Sequence, residues 1–335
     1  MPKSKWNLNT IYISERLQES LRPISRCAMT TVVAPMGYGK TTAVEWYLAE
    51  RAGAEAPYIV RISVYSGNLA IFWKSVQDAF ARAGFAFLRE YDCPTDGASG
   101  GLLIDDLCHS LTGEKSCYIF IDDFHLLTDK RAPGFLCALA GRLPPNVHLI
   151  LASRDLFLPA AELVRLGGKV YQIGTAQLRL NHTELAVYTN RCGTALSDEQ
   201  IDTLLYYSEG WFSAVYLNLR MFSEHGVLPD PNSDISSIFT AAMIDPLPEK
   251  QREFLAVMGL ADEFTVEMAQ FVMADAHAED LLAALTGQNA FVKRLPDGAT
   301  YRFHHMMKEC ALHTFLSMPK ERQTVYRGRL GICLL

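Results

Sequence analysis

The stretch VVAPMGYGKTTAVEWYLAE, residues Val32 to Glu50, decides the fold because it passes from a strand pattern through a glycine-containing turn into a helix pattern. Small and β-branched residues precede the turn, and apolar residues at helical spacing follow it. Gly37 and Gly39 allow backbone N–H groups to turn inward at the start of the helix, where the helix dipole also favours an anion. The stretch therefore predicts a phosphate-binding loop.

Two side chains of this loop have the chemistry that a nucleotide requires. Lys40 is placed to reach the β- and γ-phosphates, and the Thr41 hydroxyl is placed to bind Mg²⁺. Thr42 adds a second hydroxyl to which the pattern assigns no role. The strict pattern G-x-x-x-x-G-K-[ST] has glycine where this chain has Ala34. The alternative is a simple strand-to-helix turn with an exposed lysine, which the flanking strand and helix disfavour.

A second stretch, YIFIDDFHLL from Tyr118 to Leu127, is an apolar strand that ends in two carboxylates. The end of a parallel strand lies at the carboxyl edge of the sheet, so Asp122 is predicted beside the phosphate loop as the Mg²⁺ partner through water. Asp123 could orient an attacking water or hold the metal shell. Arg154 ends another strand and could contact a γ-phosphate. The alternative for Arg154 is a surface arginine that caps its strand.

Strand and helix patterns alternate through about residue 175, which predicts a mostly parallel sheet with helices on both faces. The predicted fold class is α/β, a P-loop NTPase sheet followed by a small helical domain and a winged-helix domain. The predicted strands are Thr31–Ala34, Tyr58–Val64, Tyr118–Ile121, Val147–Ala152 and Val170–Ile173. The helices between them are predicted near Thr41–Arg51, Ala70–Ala83, Leu102–Leu111 and Phe135–Arg142.

After residue 175 the pattern becomes mainly helical. Helices are predicted at Asn181–Arg191, with Asn181 and Glu184 as a capping box, and at Asp198–Glu224. The stretch HGVLPDPNSD, His225–Asp234, has the composition of a linker. Beyond it, three helices, a hairpin in FVKRLPDGATYRF and a further helix resemble a winged helix. These helices are predicted at Pro248–Leu260, Val266–Ala274, Ala278–Gln288 and His305–Leu316. The predicted domains are 1–175, 176–235 and 236–335.

Composition restricts the class of protein. Of the 335 residues 49% are hydrophobic and 20% are charged, which is an ordinary globular balance. The net charge of -6 argues against a chain-wide affinity for nucleic acid or an anionic membrane. The eight cysteines form no C-x-x-C pair, and no window is apolar enough for a membrane span or a signal peptide. A cytoplasmic protein without membrane partners is expected.

The whole chain also resembles a known family. APMGYGKTT, FIDDFHLL, LPPNVHLILASRD, SEGWFSAVYL and YRFHHMMKECAL occur in the order typical of the large LuxR-type regulators that resemble the maltose-regulon activator. These regulators are signal-transduction ATPases with numerous domains (STAND). The resemblance runs from about Ile11 to Leu316. Ala34 and Pro35 before the glycines are themselves typical of the family.

The resemblance implies an ATP/ADP switch that uses Mg²⁺. It implies nucleotide contacts for Pro35, Met36, Gly37, Tyr38, Gly39, Lys40, Thr41, Thr42, Gly210, Trp211 and His304. It also implies catalytic roles for Asp122, Asp123 and Arg154, and metal contacts for Thr41 and Asp122. On the sequence alone, Trp211 fits a helix-packing aromatic equally well, and His304 fits a strand-end packing residue.

Some positions depart from the family pattern. Ser14 stands where an arginine is common, which leaves Arg16 as the nearest basic residue, and Phe212 stands where related ATPases often have proline. The adenine contacts are therefore open. His305 stands where the family has proline, so His304 and His305 both remain candidates for a phosphate contact. His125 is a family feature whose role the sequence does not assign.

The family implies partners outside this chain. An inducer or regulatory protein would act through C-terminal sensor repeats, DNA would bind through a C-terminal helix-turn-helix, and the ATP state would self-oligomerise. Neither of those domains is expected within 335 residues, which favours a fragment of a longer regulator. An AAA-like P-loop ATPase with sustained turnover is the alternative. Direct DNA binding through the winged helix is a third, because residues 291–335 hold eight Lys or Arg against three acids. Against it, AEDLLAALTGQN, the expected recognition helix, contains two acids and no Lys or Arg.

Overall fold

The computed structural model describes residues 7–8, 10–225, 228, 240, 244–245, 247–287, 292–295, 298–303 and 305–333. The chain divides into two units. Ile13–Leu178 forms one unit, and Met1–Tyr12 together with Arg179–Leu335 forms the other. The parallel sheet and the phosphate loop belong entirely to the first of these.

Five parallel strands form the sheet of the unit Ile13–Leu178. They are β1 (Met29–Val33), β2 (Tyr58–Ser63), β3 (Cys117–Asp122), β4 (Val147–Ser153) and β5 (Val170–Ile173). Their order across the sheet is β2-β3-β4-β1-β5, and every neighbouring pair is parallel. The five predicted strands are present, with ends that differ by at most two residues. Because β4 lies between β1 and β3, the residues that follow β4 lie between the phosphate loop and the acidic pair.

Helices connect the strands of this unit in the alternating pattern predicted, and two further helices precede the first strand and follow the last. They are α1 (Glu15–Leu21), α2 (Lys40–Glu55), α3 (Leu69–Arg82), α4 (Gly97–Leu111), α5 (Ala132–Arg142), α6 (Ala160–Leu166) and α7 (Thr175–Leu178). Short 3₁₀ turns lie at Arg22–Arg26, Phe87–Glu90, Phe124–Leu126 and Gly167–Lys169. The central strands β1, β3 and β4 are buried almost throughout, as expected for a parallel sheet covered on both faces.

The second unit begins with three helices: α8 (His182–Arg191), α9 (Asp198–Ser208) and α10 (Phe212–His225). The predicted capping box at the start of α8 is confirmed, because Asn181 and Glu184 each bond the backbone N–H of the other. The prediction of a single helix at Asp198–Glu224 is wrong. Helix α9 ends at Ser208 and α10 begins at Phe212. Between them, Glu209 and Gly210 adopt left-handed conformations with φ of 47° and 75°.

The C-terminal part has the winged-helix elements predicted. Its helices are α11 (Glu249–Met258), α12 (Val266–Met273), α13 (Ala278–Gly287), α14 (His305–Ser317) and α15 (Lys320–Cys333). The predicted hairpin is β7 (Val292–Arg294) paired with β8 (Tyr301–Phe303), and the two-residue strand β6 (Glu263–Phe264) adds a third antiparallel strand. The predicted linker His225–Asp234 lies outside the described residues except at positions 225 and 228.

We expect Gly210→Ala to destabilise the protein strongly. A Cβ at this position would lie 2.0 Å from the Leu180 carbonyl oxygen, and the backbone is already left-handed. Gly193→Ala is the matched control, because Gly193 has φ of +95° but no atom within 4 Å of an added Cβ. Chemical denaturation should show a loss of about 3 kcal/mol or more for Gly210→Ala and about 1 kcal/mol for the control. Equal losses would show that the close approach to Leu180 is unimportant.

Candidate nucleotide site

The backbone of the phosphate loop is set by two glycines. Gly37 and Gly39 both have φ of 77°, a left-handed conformation that side chains disfavour. Gly39 is the N-cap of α2, so this helix of 16 residues begins without a side-chain cap, and its first turn contains no acidic residue. The N–H groups at a helix N-terminus favour an anion. The local structure thus fits a phosphate better than it fits an ordinary capped helix.

Lys40 lies folded over the loop. The residue is 8% exposed, and its Nζ donates to the carbonyl oxygens of Ala34 at 2.6 Å and Pro35 at 2.7 Å. Burial, and secondarily the charge of Arg154, lowers the pKa of Lys40 to about 8. A lysine at the positive end of a helix dipole, beside a second cation, is electrostatically unfavourable unless an anion is near.

Thr41 and Asp122 are brought together, although 81 positions separate them in the chain. The Thr41 hydroxyl donates to Oδ2 of Asp122 at 2.8 Å, and Oδ1 of the same carboxylate accepts from the Asp123 backbone N–H at 2.9 Å. Burial raises the pKa of Asp122, and the bond from Thr41 opposes that effect. A hydroxyl and a carboxylate held this close are the oxygen donors that Mg²⁺ prefers.

Asp123 differs from Asp122 in its surroundings. It follows the end of β3 in a left-handed conformation, φ 54° and ψ 36°, and its side chain is 49% exposed. Aspartate and asparagine tolerate this conformation better than most residues. The Asp123 carboxylate is therefore accessible to solvent, whereas that of Asp122 is held by hydrogen bonds.

His125 is a buried neighbour of the acidic pair to which sequence reasoning gave no role. Its side chain is 8% exposed, and Nδ1 lies 3.9 Å from Oδ1 of Asp123. Neither ring nitrogen has a hydrogen-bond partner within the part of the chain that the structure describes. Burial, and then the charge of Arg154, lowers the pKa of His125 to about 4, so the ring is neutral at physiological pH. In the sequence, the feature that indicates a place for His125 near the site is its position two residues after Asp123.

Arg154 follows β4 and lies between the two halves of the site. The Ala34 backbone N–H donates to the Ser153 carbonyl oxygen at 3.3 Å, which joins the start of the phosphate loop to the end of β4. Arg154 is exposed, and its charge lowers the pKa of both Lys40 and His125.

The next residue, Asp155, is not predicted as a site residue from the sequence. Burial raises its pKa, and its Oδ1 has no hydrogen-bond partner among the described residues.

The other loop residues differ in exposure. Pro35 and Tyr38 are buried, Met36 is half-buried, and Thr42 is exposed on the first turn of α2.

Near the start of the same unit, the Ser14 side chain caps α1 by accepting from the Leu17 backbone N–H at 3.2 Å. This helix cap gives Ser14 a structural role at the position where the family has arginine.

The remaining candidates belong to the second unit. Gly210 precedes α10, and Trp211 is 2% exposed with its backbone N–H bonded to the Ser208 carbonyl oxygen at 2.8 Å. Phe212 packs against Tyr188 with ring centroids 5.2 Å apart. His304 lies outside the described residues, as does the side chain of His305.

The fold is that of P-loop ATPases. The structure matches the Walker-type ATPase PABY2304 of Pyrococcus abyssi with a TM-score of 0.64 and 11% sequence identity, over 93% of this chain and 99% of that one. Residues 240–323 match the family described as the MalT winged helix domain. The predicted fold class, a P-loop NTPase sheet followed by helical and winged-helix parts, is confirmed.

Within that class the chain is similar to the MalT transcriptional regulators. It is 21% identical over 348 residues to the HTH-type transcriptional regulator MalT of Vibrio campbellii, covering 96% of this chain and 37% of that protein. It is 21% identical over 341 residues to MalT of Yersinia pestis, covering 97% of this chain and 38% of that protein. The resemblance to regulators of this kind is confirmed, and the chain spans a little more than a third of their length.

We expect nucleotide binding to take up protons at pH 8 but not at pH 6.5. Phosphates beside Lys40 would raise its lowered pKa, so near pH 8 the bound protein holds more protons and affinity falls as pH rises. Titration calorimetry of Mg²⁺-ADP in buffers of different ionisation enthalpy measures the uptake. About half a proton per nucleotide is expected at pH 8. The same uptake at both pH values would contradict a role for Lys40 titration.

Proposed function

We propose that this chain is the nucleotide-binding switch module of a MalT-like transcriptional regulator, which binds ATP or ADP with Mg²⁺ and hydrolyses ATP slowly. One observation carries the proposal. The Thr41 hydroxyl and the Asp122 carboxylate are 2.8 Å apart beside a buried Lys40, at the edge of the sheet where β1 and β3 end. The P-loop ATPase fold and the similarity to MalT support it.

The charges at this edge suit a magnesium nucleotide better than either ion alone. Lys40, Arg154 and the α2 N-terminus form the cationic part, which attracts phosphate oxygens. Asp122, Asp123 and Asp155 form the anionic part, and their charges raise the pKa of Lys40 against the effect of burial. Two signs of charge within one site are what a polyphosphate and a divalent cation together require.

The proposed roles follow from these positions. The backbone of Gly37–Thr41 and the Lys40 ammonium hold the β- and γ-phosphates. Thr41 and Asp122 would hold the metal, directly or through water, and Asp123 would orient the attacking water with its exposed carboxylate. Arg154 would contact the γ-phosphate of a bound ATP, and a bound Mg²⁺ would neutralise part of the phosphate charge. The exposure of Arg154 leaves its guanidinium able to respond to the presence of that phosphate.

The regulatory part of the proposal concerns what the nucleotide controls. A ligand shifts a conformational equilibrium only by its different affinities for the two states. In this proposal ADP stabilises a resting form, ATP together with an inducer stabilises an oligomerising form, and hydrolysis restores the first. His304, Gly210 and Trp211 are proposed as contacts that report the nucleotide state. DNA binding is proposed for another part of the regulator. The regulator is also proposed to lie in the cytoplasm. No described helix is long and apolar enough to cross a membrane.

We expect Asp123→Asn to slow ATP hydrolysis much more than it weakens ATP binding. Asparagine keeps the shape and tolerates the left-handed backbone of this residue, but it is a poor acceptor for a proton from water. Single-turnover hydrolysis should fall by about 100-fold, while the dissociation constant for ATP changes by less than about threefold. Asp129→Asn, at a carboxylate paired with Arg131, is the matched control and should hydrolyse ATP at the wild-type rate. Equal effects of Asp123→Asn on binding and hydrolysis would assign Asp123 to the metal shell.

The switch and the AAA-like alternative differ in retained nucleotide and turnover. Denaturing freshly purified protein and identifying the released nucleotide, with a steady-state hydrolysis assay on the same preparation, separates them. Near-stoichiometric ADP with fewer than about one turnover per minute is expected of a switch, because typical enzymes turn over far faster. Rapid multiple turnover would overturn the switch and support an ATPase with sustained activity.

A further inference from the structure

A cavity lies in the sheet-containing unit, between α3, α4, α5 and one face of the sheet. Its volume is about 420 Å³, and its floor is formed by Ile119 and Ile121 of β3. Packed protein interiors contain few voids larger than a water molecule. Small-molecule sites are typically 300–1,000 Å³, so the volume of this cavity lies within the usual range for a binding site.

The wall of the cavity is apolar and partly open. Phe72 and Trp73 of α3 and Phe135 of α5 line it, and all three remain half-buried although they pack against the core. On the α4 side the wall includes Gly100, where a Cβ would lie 3.5 Å from the Phe135 ring. Leu103, Ile104 and Leu107 complete the α4 side, so apolar side chains form most of the wall, which suits an apolar ligand.

The charged groups at this cavity already have partners. The Arg131 guanidinium bonds the Asp129 carboxylate, and that of Arg142 bonds Asp105 at 2.8 Å. Asp96 accepts from the Ser99 backbone N–H as the cap of α4. The Trp73 indole N–H donates to the Tyr91 carbonyl oxygen at 3.0 Å. Arg131 and Arg142 have more than half of their side-chain surface in solvent, so an ion that enters the apolar interior loses its hydration without a charged partner there.

We propose that this cavity is a binding site for a neutral, apolar small molecule of two or three rings. A cavity of 150 Å³ lined by apolar side chains stays dry and binds benzene. The present volume of about 420 Å³ is nearly three times larger and accommodates a correspondingly larger ligand. None of the described residues proposed for nucleotide contact lines this cavity, so the two sites share no contact residue among them.

The floor of the cavity connects the two sites through one strand. Ile119 and Ile121 contact the cavity, and the next residue of β3 is Asp122, which bonds Thr41. A ligand that packs against these isoleucines would therefore contact the strand that positions the acidic pair. The cavity is thus placed where an apolar effector could bias the proposed switch.

The test is a fluorescence titration of the full chain with N-phenyl-1-naphthylamine, a neutral three-ring probe that brightens in apolar surroundings. Saturable binding of one probe per chain is expected. The anionic 8-anilinonaphthalene-1-sulfonate has the same rings, and its affinity should be at least about tenfold weaker because the sulfonate would lose its hydration without gaining an unpaired cation. Equal affinity for the two probes would overturn the neutral class of ligand.

Gly100→Leu places four carbons toward Phe135 and should weaken probe binding at least about tenfold by occupying the space. Gly53→Leu is the matched control, since Gly53 is an exposed helical glycine with nothing within 4 Å of an added Cβ. Leu69→Trp, which narrows the same cavity from α3, replaces Gly100→Leu if that variant does not fold. Absence of saturable binding to the wild type, or equal affinity in the filled variant and Gly53→Leu, would overturn the proposal.

Discussion

The hydrogen bond from the Thr41 hydroxyl to the Asp122 carboxylate is the contact on which the proposed site depends. It joins the first turn of α2 to the end of β3, two segments 81 positions apart. The bond forms because β1 and β3 are parallel members of one sheet with only β4 between them. A sheet in another order would separate these side chains, and the phosphate loop would then lack its carboxylate partner.

Burial gives this edge of the sheet its unusual electrostatics. Desolvation lowers the pKa of Lys40 and of His125 and raises that of Asp122 and Asp155. All four shifts weaken the charged form of the group concerned, so each group would gain from a partner of opposite charge. A magnesium nucleotide provides both signs, and this is the physical reason to regard the cluster as a binding site.

Local sequence signals predicted much of this arrangement. Gly37 and Gly39, between a β-branched run and a helical pattern, are sufficient to predict the loop, and the apolar run before Asp122 predicts the strand. The break between α9 and α10 was missed because the apolar spacing continues through Gly210. The strand β6 has only two residues, too few for an alternating pattern. Lys40 folds onto the loop, and Oδ1 of Asp155 lacks a hydrogen-bond partner among the described residues. Both features arise from packing between segments, which no local pattern encodes.

Equilibrium binding of a fluorescent Mg²⁺-ADP analogue to nucleotide-free protein, wild type against Lys40→Ala, tests the central claim most directly. Lys40 bonds the carbonyl oxygens of Ala34 and Pro35 within the loop, so both proteins should remain folded, and a thermal unfolding transition recorded for each checks this first. One saturable site is expected for the wild type, with affinity at least about 100-fold weaker in Lys40→Ala because a charge-assisted phosphate contact is lost. Equal affinity in the two folded proteins would contradict a nucleotide site at the phosphate loop.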